Sequence, residues 1–181
     1  MGVREFVISD THFNHKNIIE YENRPFKTVE EMNEAMIENW NRVVDKHDKV
    51  YILGDFVFGN KEYIEGLIKR LNGYKILIMG NHDIRIRKQP NWWIDRGFDE
   101  AYKGRYIKDD FIVMEHRPTD IEEMLNSDYF YLYGHIHTKS DRDTINCYSA
   151  CLCVERWDYT PVLLDEILKR AGVEGMVNSL L

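Results

Sequence analysis

Short apolar runs alternate with amphipathic stretches along most of this chain. Residues 3–9, 50–53, 74–79, 111–115 and 129–133 are rich in β-branched and aromatic side chains and have strand length, so each is predicted as a strand. Between them the apolar spacing changes to that of a helix. Residues 28–45 carry Val29, Met32, Met36, Trp40, Val43 and Val44 on one face, with Thr28 and Glu31 as a capping box. Residues 60–71 repeat the pattern with Ile64, Leu67, Ile68 and Leu71, and Gly73 is the stop signal. Thr119 with Glu122 predicts a further capped helix, 105–115 a hairpin turning at Lys108-Asp109-Asp110, and the tail a strand at 160–164 followed by a helix ending near Gly172. No repeat, linker or low-complexity tract interrupts this order, and 181 residues suit one domain, 1–181, rather than two.

The five apolar runs named first share one property: each leads into residues able to bind a metal. The first is followed by Asp10-Thr11-His12, the second by Gly54-Asp55, the third by Gly80-Asn81-His82, the fourth by His116, and the fifth by Gly134-His135-Ile136-His137. Loops at the carboxyl ends of strands are where α/β folds place their chemistry, so these side chains are expected in one cleft. Asp-x-His and His-x-His direct two ligands at one ion from a tight loop. The glycines ahead of Asp55, Asn81 and His135 permit close backbone approach and positive φ. Carboxylate, imidazole and amide donors suit Mn²⁺, Fe or Zn²⁺, with Mn²⁺ the first choice, and suit Cu(I) poorly.

Composition narrows the picture. Apolar and charged residues make up 44% and 30% of the chain, as in an ordinary globular protein, and no apolar run approaches the roughly 20 residues that span a bilayer. The N-terminus lacks the pattern of a secretory signal, so a cytoplasmic location without membrane contact is expected. Cys147, Cys151 and Cys153 fall in a strand-like segment and read as small thiols, neither a disulfide framework nor a separate metal site. A net charge of −7 disfavours a nucleic-acid partner without excluding one. Arg85, Arg87 and Lys88 read as a solvated run, His47 as a surface residue, and Trp92 and Trp93 as core or partner-facing.

The segments SDTH (9–12), GDF (54–56), GNHD (80–83), EHRP (115–118) and GHIH (134–137) together resemble the calcineurin-like metallophosphoesterase superfamily, over nearly the whole chain. SDTHFNHKNII (9–19), NRPF (23–26) and WDYTPV (157–162) point to its small prokaryotic and phage branch. The resemblance implies an α/β fold of two packed β-sheets flanked by helices, a four-layer αββα sandwich with a two-metal site at the carboxyl edge. It implies that Asp10, His12, Asp55 and His137 hold one divalent cation and Asp55, Asn81, His116 and His135 the other, with Asp55 bridging through its two oxygens. It implies hydrolysis of phosphomonoesters or phosphodiesters by in-line attack of a metal-bridging hydroxide, with His82 as a catalytic residue facing the substrate. Relatives that act on phosphoproteins carry a second Asp where this chain has Phe58 and an Arg where it has Met79, which argues against a protein phosphatase. Asn14, His15, Arg24, Phe26 and Arg117 are candidate substrate contacts, with Arg24 and Phe26 forming a lip. A small phosphate ester is the expected substrate. A nuclease lacks a visible basic stripe, and a silent scaffold of the same fold is disfavoured by the filled ligand positions. Oligomeric state is not readable.

Overall fold

A computed structural model describes residues 2–138 and 144–173; the remainder of the 1–181 domain expectation lies outside the described residues. In chain order the elements are β1 (Glu5–Ile8), α1 (Ile18–Tyr21), α2 (Val29–Val43), β2 (Lys49–Ile52), α3 (Lys61–Arg70), β3 (Tyr74–Met79), α4 (Asn81–Ile86), α5 (Pro90–Ile94) and β4 (Glu100–Lys103). There follow β5 (Tyr106–Lys108), β6 (Ile112–Met114), α6 (Ile121–Leu125), β7 (Phe130–Tyr133), β8 (Ser149–Cys151), a 3-10 turn (Val154–Arg156), β9 (Val162–Leu163) and α7 (Leu164–Ala171).

The strands form two sheets, ordered β4-β3-β2-β1-β9 and β5-β6-β7-β8. β1 to β4 pair in parallel, as do β6, β7 and β8, while β9 and β5 join as antiparallel edges. Alternate residues of each central strand enter different cores. Phe6, Ile8, Val50, Ile52, Leu77 and Met79 face α2 and α3 with Met36, Trp40, Ile64 and Leu67. Val7, Tyr51, Leu53, Ile76 and Ile78 face the second sheet, meeting Ile112, Met114, Phe130 and Leu132, with Ile167 and Leu168 of α7. The outer face of the second sheet buries Val113, Tyr131, Tyr133, Cys151 and Cys153 under Met124 of α6. Two sheets flanked by helices therefore stand as expected, the outermost helical layer being only five residues long. Burial on both faces explains why these strands read as unbroken apolar runs.

Local signals were mostly sound. Thr28 accepts from Glu31 N at 3.1 Å, although the Glu31 carboxylate caps the amide of Lys27 rather than that of Thr28. Asp109 and Asp110 both take positive φ in the β5–β6 hairpin. The Thr119 box is a correction: Asp120 caps α6, accepting from Glu122 N at 2.9 Å, because Thr119 donates its amide and hydroxyl to the buried Glu115 carboxylate instead. Strand β4 and the short helices α4 and α5 had no counterpart among the expected elements. No helix among the described residues is long and apolar enough to cross a membrane.

The sheets meet at their carboxyl edges. Ser9, just past β1, bridges in parallel to Cys153, just past β8, through Ser9 N to Leu152 O at 2.9 Å and Val154 N to Ser9 O at 3.1 Å. Loops from both sheets leave the fold at this seam.

Candidate metal centre

Asp10 and His12 follow β1, Asp55 follows β2, Asn81 opens α4 after β3, His116 follows β6, and His135 and His137 follow β7. Asp10, His12, Asp55, His135 and His137 all sit at positive φ, between 46° and 71°. Left-handed backbone costs an L-residue about 1–2 kcal/mol, so five such residues persist only because the surrounding structure holds them. Gly134 is required by proximity: a Cβ there would lie 2.2 Å from Asp10 Oδ2 and 1.9 Å from Ser9 Oγ. At Gly54, φ is +85° and a Cβ would lie 2.5 Å from Gly80 N.

Among the described residues the ligand-type atoms form three groups, of which two comprise the expected metal residues and the third joins His137 to Cys153 and Glu155. Asp10, His12 and His137 place theirs within 4.8 Å of one another, and so do Asp55, His116 and His135. Asp10 Oδ1 is 3.4 Å from His137 Nε2 and 3.8 Å from His12 Nε2. His116 Nε2 is 3.1 Å from Asn81 Oδ1, 3.2 Å from His135 Nδ1 and 3.3 Å from Asp55 Oδ2. Asp55 Oδ2 is also 3.8 Å from His12 Nε2, which puts this oxygen between the groups.

Each of the two carboxylates divides its oxygens between structure and site. Asp10 Oδ2 accepts from Ser9 Oγ at 2.6 Å, His135 N at 2.8 Å and Cys153 Sγ at 3.4 Å, leaving Oδ1 for the cleft. Asp55 Oδ1 accepts from His82 N at 2.8 Å, leaving Oδ2. One Asp55 oxygen thus faces both groups, and the other accepts from the loop that carries His82.

The histidines are oriented in the same fashion. His116 Nδ1–H donates to Leu53 O at 2.8 Å and His137 Nδ1–H to Glu155 Oε1 at 3.0 Å, so both rings turn Nε2 inward. Burial opposes charge throughout the site, and at Asp10, His116 and His137 the neighbouring charges outweigh it. His116, His12 and His137 hold the Asp10 carboxyl well below its ordinary range, and Asp10 and Asp55 raise His116 to about 9. His137 is likewise raised despite burial, by Glu155 and Asp10. His135 is lowered, by burial first and then by the charges of His116 and Arg117.

These residues fit divalent cations. Among the described residues, Asp10 Oδ1 and both ring nitrogens of His12 are buried without a hydrogen-bond partner, a state that costs roughly 1–3 kcal/mol per group unless something satisfies it. The donor set is oxygen and imidazole nitrogen, and the carboxylates call for positive charge, for which metal and protons compete.

Two supporting carboxylates were not anticipated. Asp83 is buried and accepts from Asp55 N at 2.7 Å, Gly80 N at 2.8 Å and Phe56 N at 3.1 Å, locking the second and third loops together. Burial, then repulsion from Asp55, pushes its carboxyl up to about 6 against the pull of those amides. Its place three residues after Gly80 at a helix start was the readable signal. Glu155 Oε1 accepts from His137 and from Arg24 Nη2 at 2.6 Å, and its only sequence signal is a lone carboxylate in an apolar stretch.

Arg24 is a second correction. It does not form a lip: it is 4% exposed, with Nη2 donating to Asp10 O and Nη1 to Thr11 O, both at 2.8 Å, and Nε donating to Glu155. Its guanidinium satisfies carbonyls of the strained first loop. Phe26 packs edge-on against Tyr159 at 4.9 Å and joins the core facing α2. Asn14 donates its amide to Phe58 O at 3.0 Å. His15 stacks on Phe58 at 4.2 Å and lies 5.4 Å from His12; burial, then the charge of His12, lowers it to about 4. Arg117 is exposed at the rim of a cavity beside His116. His82 is half-buried, its Nε2 3.8 Å from Asp55 Oδ2 and its ring against Phe58. His47 is exposed, Trp93 is fully buried, and Trp92 is flanked by Arg96 and Arg87. Cys151 and Cys153 are buried and Cys147 is exposed.

Glu155→Gln is expected to weaken metal binding about 10–100-fold, the usual effect of losing a histidine's orienting partner, and to lower thermal stability because Arg24 loses its buried anion. Metal titration of the refolded variant checks the first effect. Affinity equal to wild type would remove Glu155 from this role.

The chain belongs to the calcineurin-like phosphoesterase family, whose family model matches residues 4–174. Members of that family generally work with two metal ions. Over 181 aligned residues it is 37% identical to an uncharacterized protein of Methanocaldococcus jannaschii, spanning 93% of this chain and 92% of that one. It is 40% identical over 78 residues to the Gene 66 protein of Mycobacterium phage L5, a stretch covering 41% of this chain and 37% of the phage protein. The crystal structure of a protein of unknown function from Aquifex aeolicus superposes with a TM-score of 0.69 at 28% identity, covering 93% of this chain and all of that one.

Proposed function

We propose that this protein hydrolyses small phosphate esters with two divalent cations, Mn²⁺ foremost. The observation that supports it best is the position of Asp55 Oδ2 between two adjacent ligand groups, 3.8 Å from His12 Nε2 and 3.3 Å from His116 Nε2. When bound, a pair of cations would supply an activated water and neutralise charge on the phosphoryl oxygens during in-line displacement. The first group would consist of Asp10, His12 and His137 and the second of Asn81, His116 and His135, with Asp55 shared. A donor set of carboxylate and amide oxygen with imidazole, and without thiolate, favours Mn²⁺.

His82 stands at the mouth of the site, where the side chain is 28% exposed. Its backbone N–H is held by Asp55 Oδ1, and a partly exposed ring in this place would face the substrate, where it would stabilise or protonate the departing oxygen. Phe58, where phosphoprotein phosphatases carry a carboxylate, presents a ring to His82 instead, at 5.0 Å. Among the described residues Asp55 is the acidic partner of the His82 ring.

The test is turnover by metal-loaded protein of p-nitrophenyl phosphate, bis-p-nitrophenyl phosphate and labelled single-stranded DNA. Ester hydrolysis is expected, and His82→Ala is expected to slow it about 10²–10⁴-fold with metal content retained. Two bound metals without turnover would leave a silent scaffold, and cleavage of DNA alone a nuclease.

A further inference from the structure

We propose that the cavity beside the second ligand group seats a second phosphoryl group of the substrate, making the preferred substrate a phosphate ester with two phosphoryl groups; this rests on the phosphoesterase reading above. The cavity holds about 430 Å³ and is walled by Met79, Asn81, Ile84, Lys103, His116 and Arg117, so it opens directly from two residues of the candidate metal centre. A volume of this size fits the body of a small organic substrate.

Its charge is what selects the ligand. Lys103 ends β4 and is the register partner of Met79, the last residue of β3, so it flanks the strand that delivers Asn81. Arg117 adjoins His116. Both are exposed, and among the described residues neither has a hydrogen-bond or ion-pair partner. The two other charged residues of the wall cancel each other: Arg105 Nε meets Glu115 Oε2 at 3.1 Å, and Glu115 also accepts from Thr119. Two uncommitted cations in one cavity of a chain with net charge −7 amount to a local reversal of sign. Two positive charges match one dianionic phosphoryl group, and guanidinium and ammonium are the side chains that recognise it. The apolar floor of Met79 and Ile84 suits the carbon skeleton joining the two phosphoryl groups.

The experiment uses ligands that are not hydrolysed. Methylphosphonate and a series of α,ω-alkane bisphosphonates of increasing length are titrated calorimetrically into metal-loaded wild-type, Lys103→Ala, Arg117→Ala and Lys103→Arg protein. Wild type is expected to bind the best-spaced bisphosphonate about tenfold or more tightly than methylphosphonate. Each alanine variant should lose most of that advantage, and Lys103→Arg should keep it. Equal affinity for mono- and bisphosphonates, or an advantage unchanged in both alanine variants, overturns the proposal. Turnover of p-nitrophenyl phosphate is measured in parallel. If it is absent with metals bound, the hydrolase reading falls, while the binding comparison, which needs no turnover, still decides the cavity.

Discussion

Asp55→Asn is expected to lose metal and activity together. The substitution keeps Oδ1, so the bond from His82 N survives and the loop has no reason to move. What changes is the atom between the groups: an amide NH₂ replaces Oδ2, which faces the nitrogens of His12 and His116. A shared anionic ligand then becomes a neutral donor, and both groups lose affinity at once. The fall in turnover should exceed the roughly 10–100-fold that follows loss of a merely supporting partner. Elemental analysis and p-nitrophenyl phosphate turnover on the same preparation read both effects. Two metals per chain with wild-type turnover in Asp55→Asn would exclude a shared cation ligand at this position.

Gly134→Ala is expected to give a large loss of stability from a single methyl group. The added Cβ would fall 2.2 Å from Asp10 Oδ2 and 2.9 Å from Ser9 Cβ, so rotating the Ser9 hydroxyl away does not make room. Asp10 Oδ2 is itself fixed by three donors. The strand end must shift, at a cost of about 3 kcal/mol, which for a chain of this size lowers the melting temperature by about 6–12 °C. Gly66→Ala is the control: it lies within α3 with nothing within 4 Å of the new methyl, and should stabilise by about 0.5–1 kcal/mol. Paired thermal melts followed by circular dichroism decide the matter. A Gly134→Ala protein melting with wild type would mean that the seam is looser than these distances indicate.

How much of this could be read from residues alone follows from what each residue does. β2, β3 and β7 are buried on both faces, so their apolar runs are continuous and visible; β4 has a single buried residue, Ala101, in EAYK and carries no such signal. The ligand set was legible because Asp, His and Asn directly after strands are chemically conspicuous, and the strand ends bring them together. The supports were not. Glu155 lies 131 residues from Arg24, and their ion pair exists only after the sheets join. From sequence alone Arg24 is a candidate grip for an anion, since guanidinium suits that role and arginine is usually exposed. The first loop's strained backbone presents two buried carbonyls, and that demand for donors, invisible without coordinates, draws the guanidinium inward. The position of one Asp55 oxygen between the two groups is hidden for the same reason: which oxygen points there depends on where His82 N lies.

The seam between the sheets has one more consequence. Asp10 and His12 come from one sheet and His137 from the other; Asp55 comes from one, and His116 and His135 from the other. A cation seated in either group would therefore act as a rivet through both halves of the molecule. Stripping such a cation out would remove a cross-link, so heat resistance would rise and fall with metal occupancy.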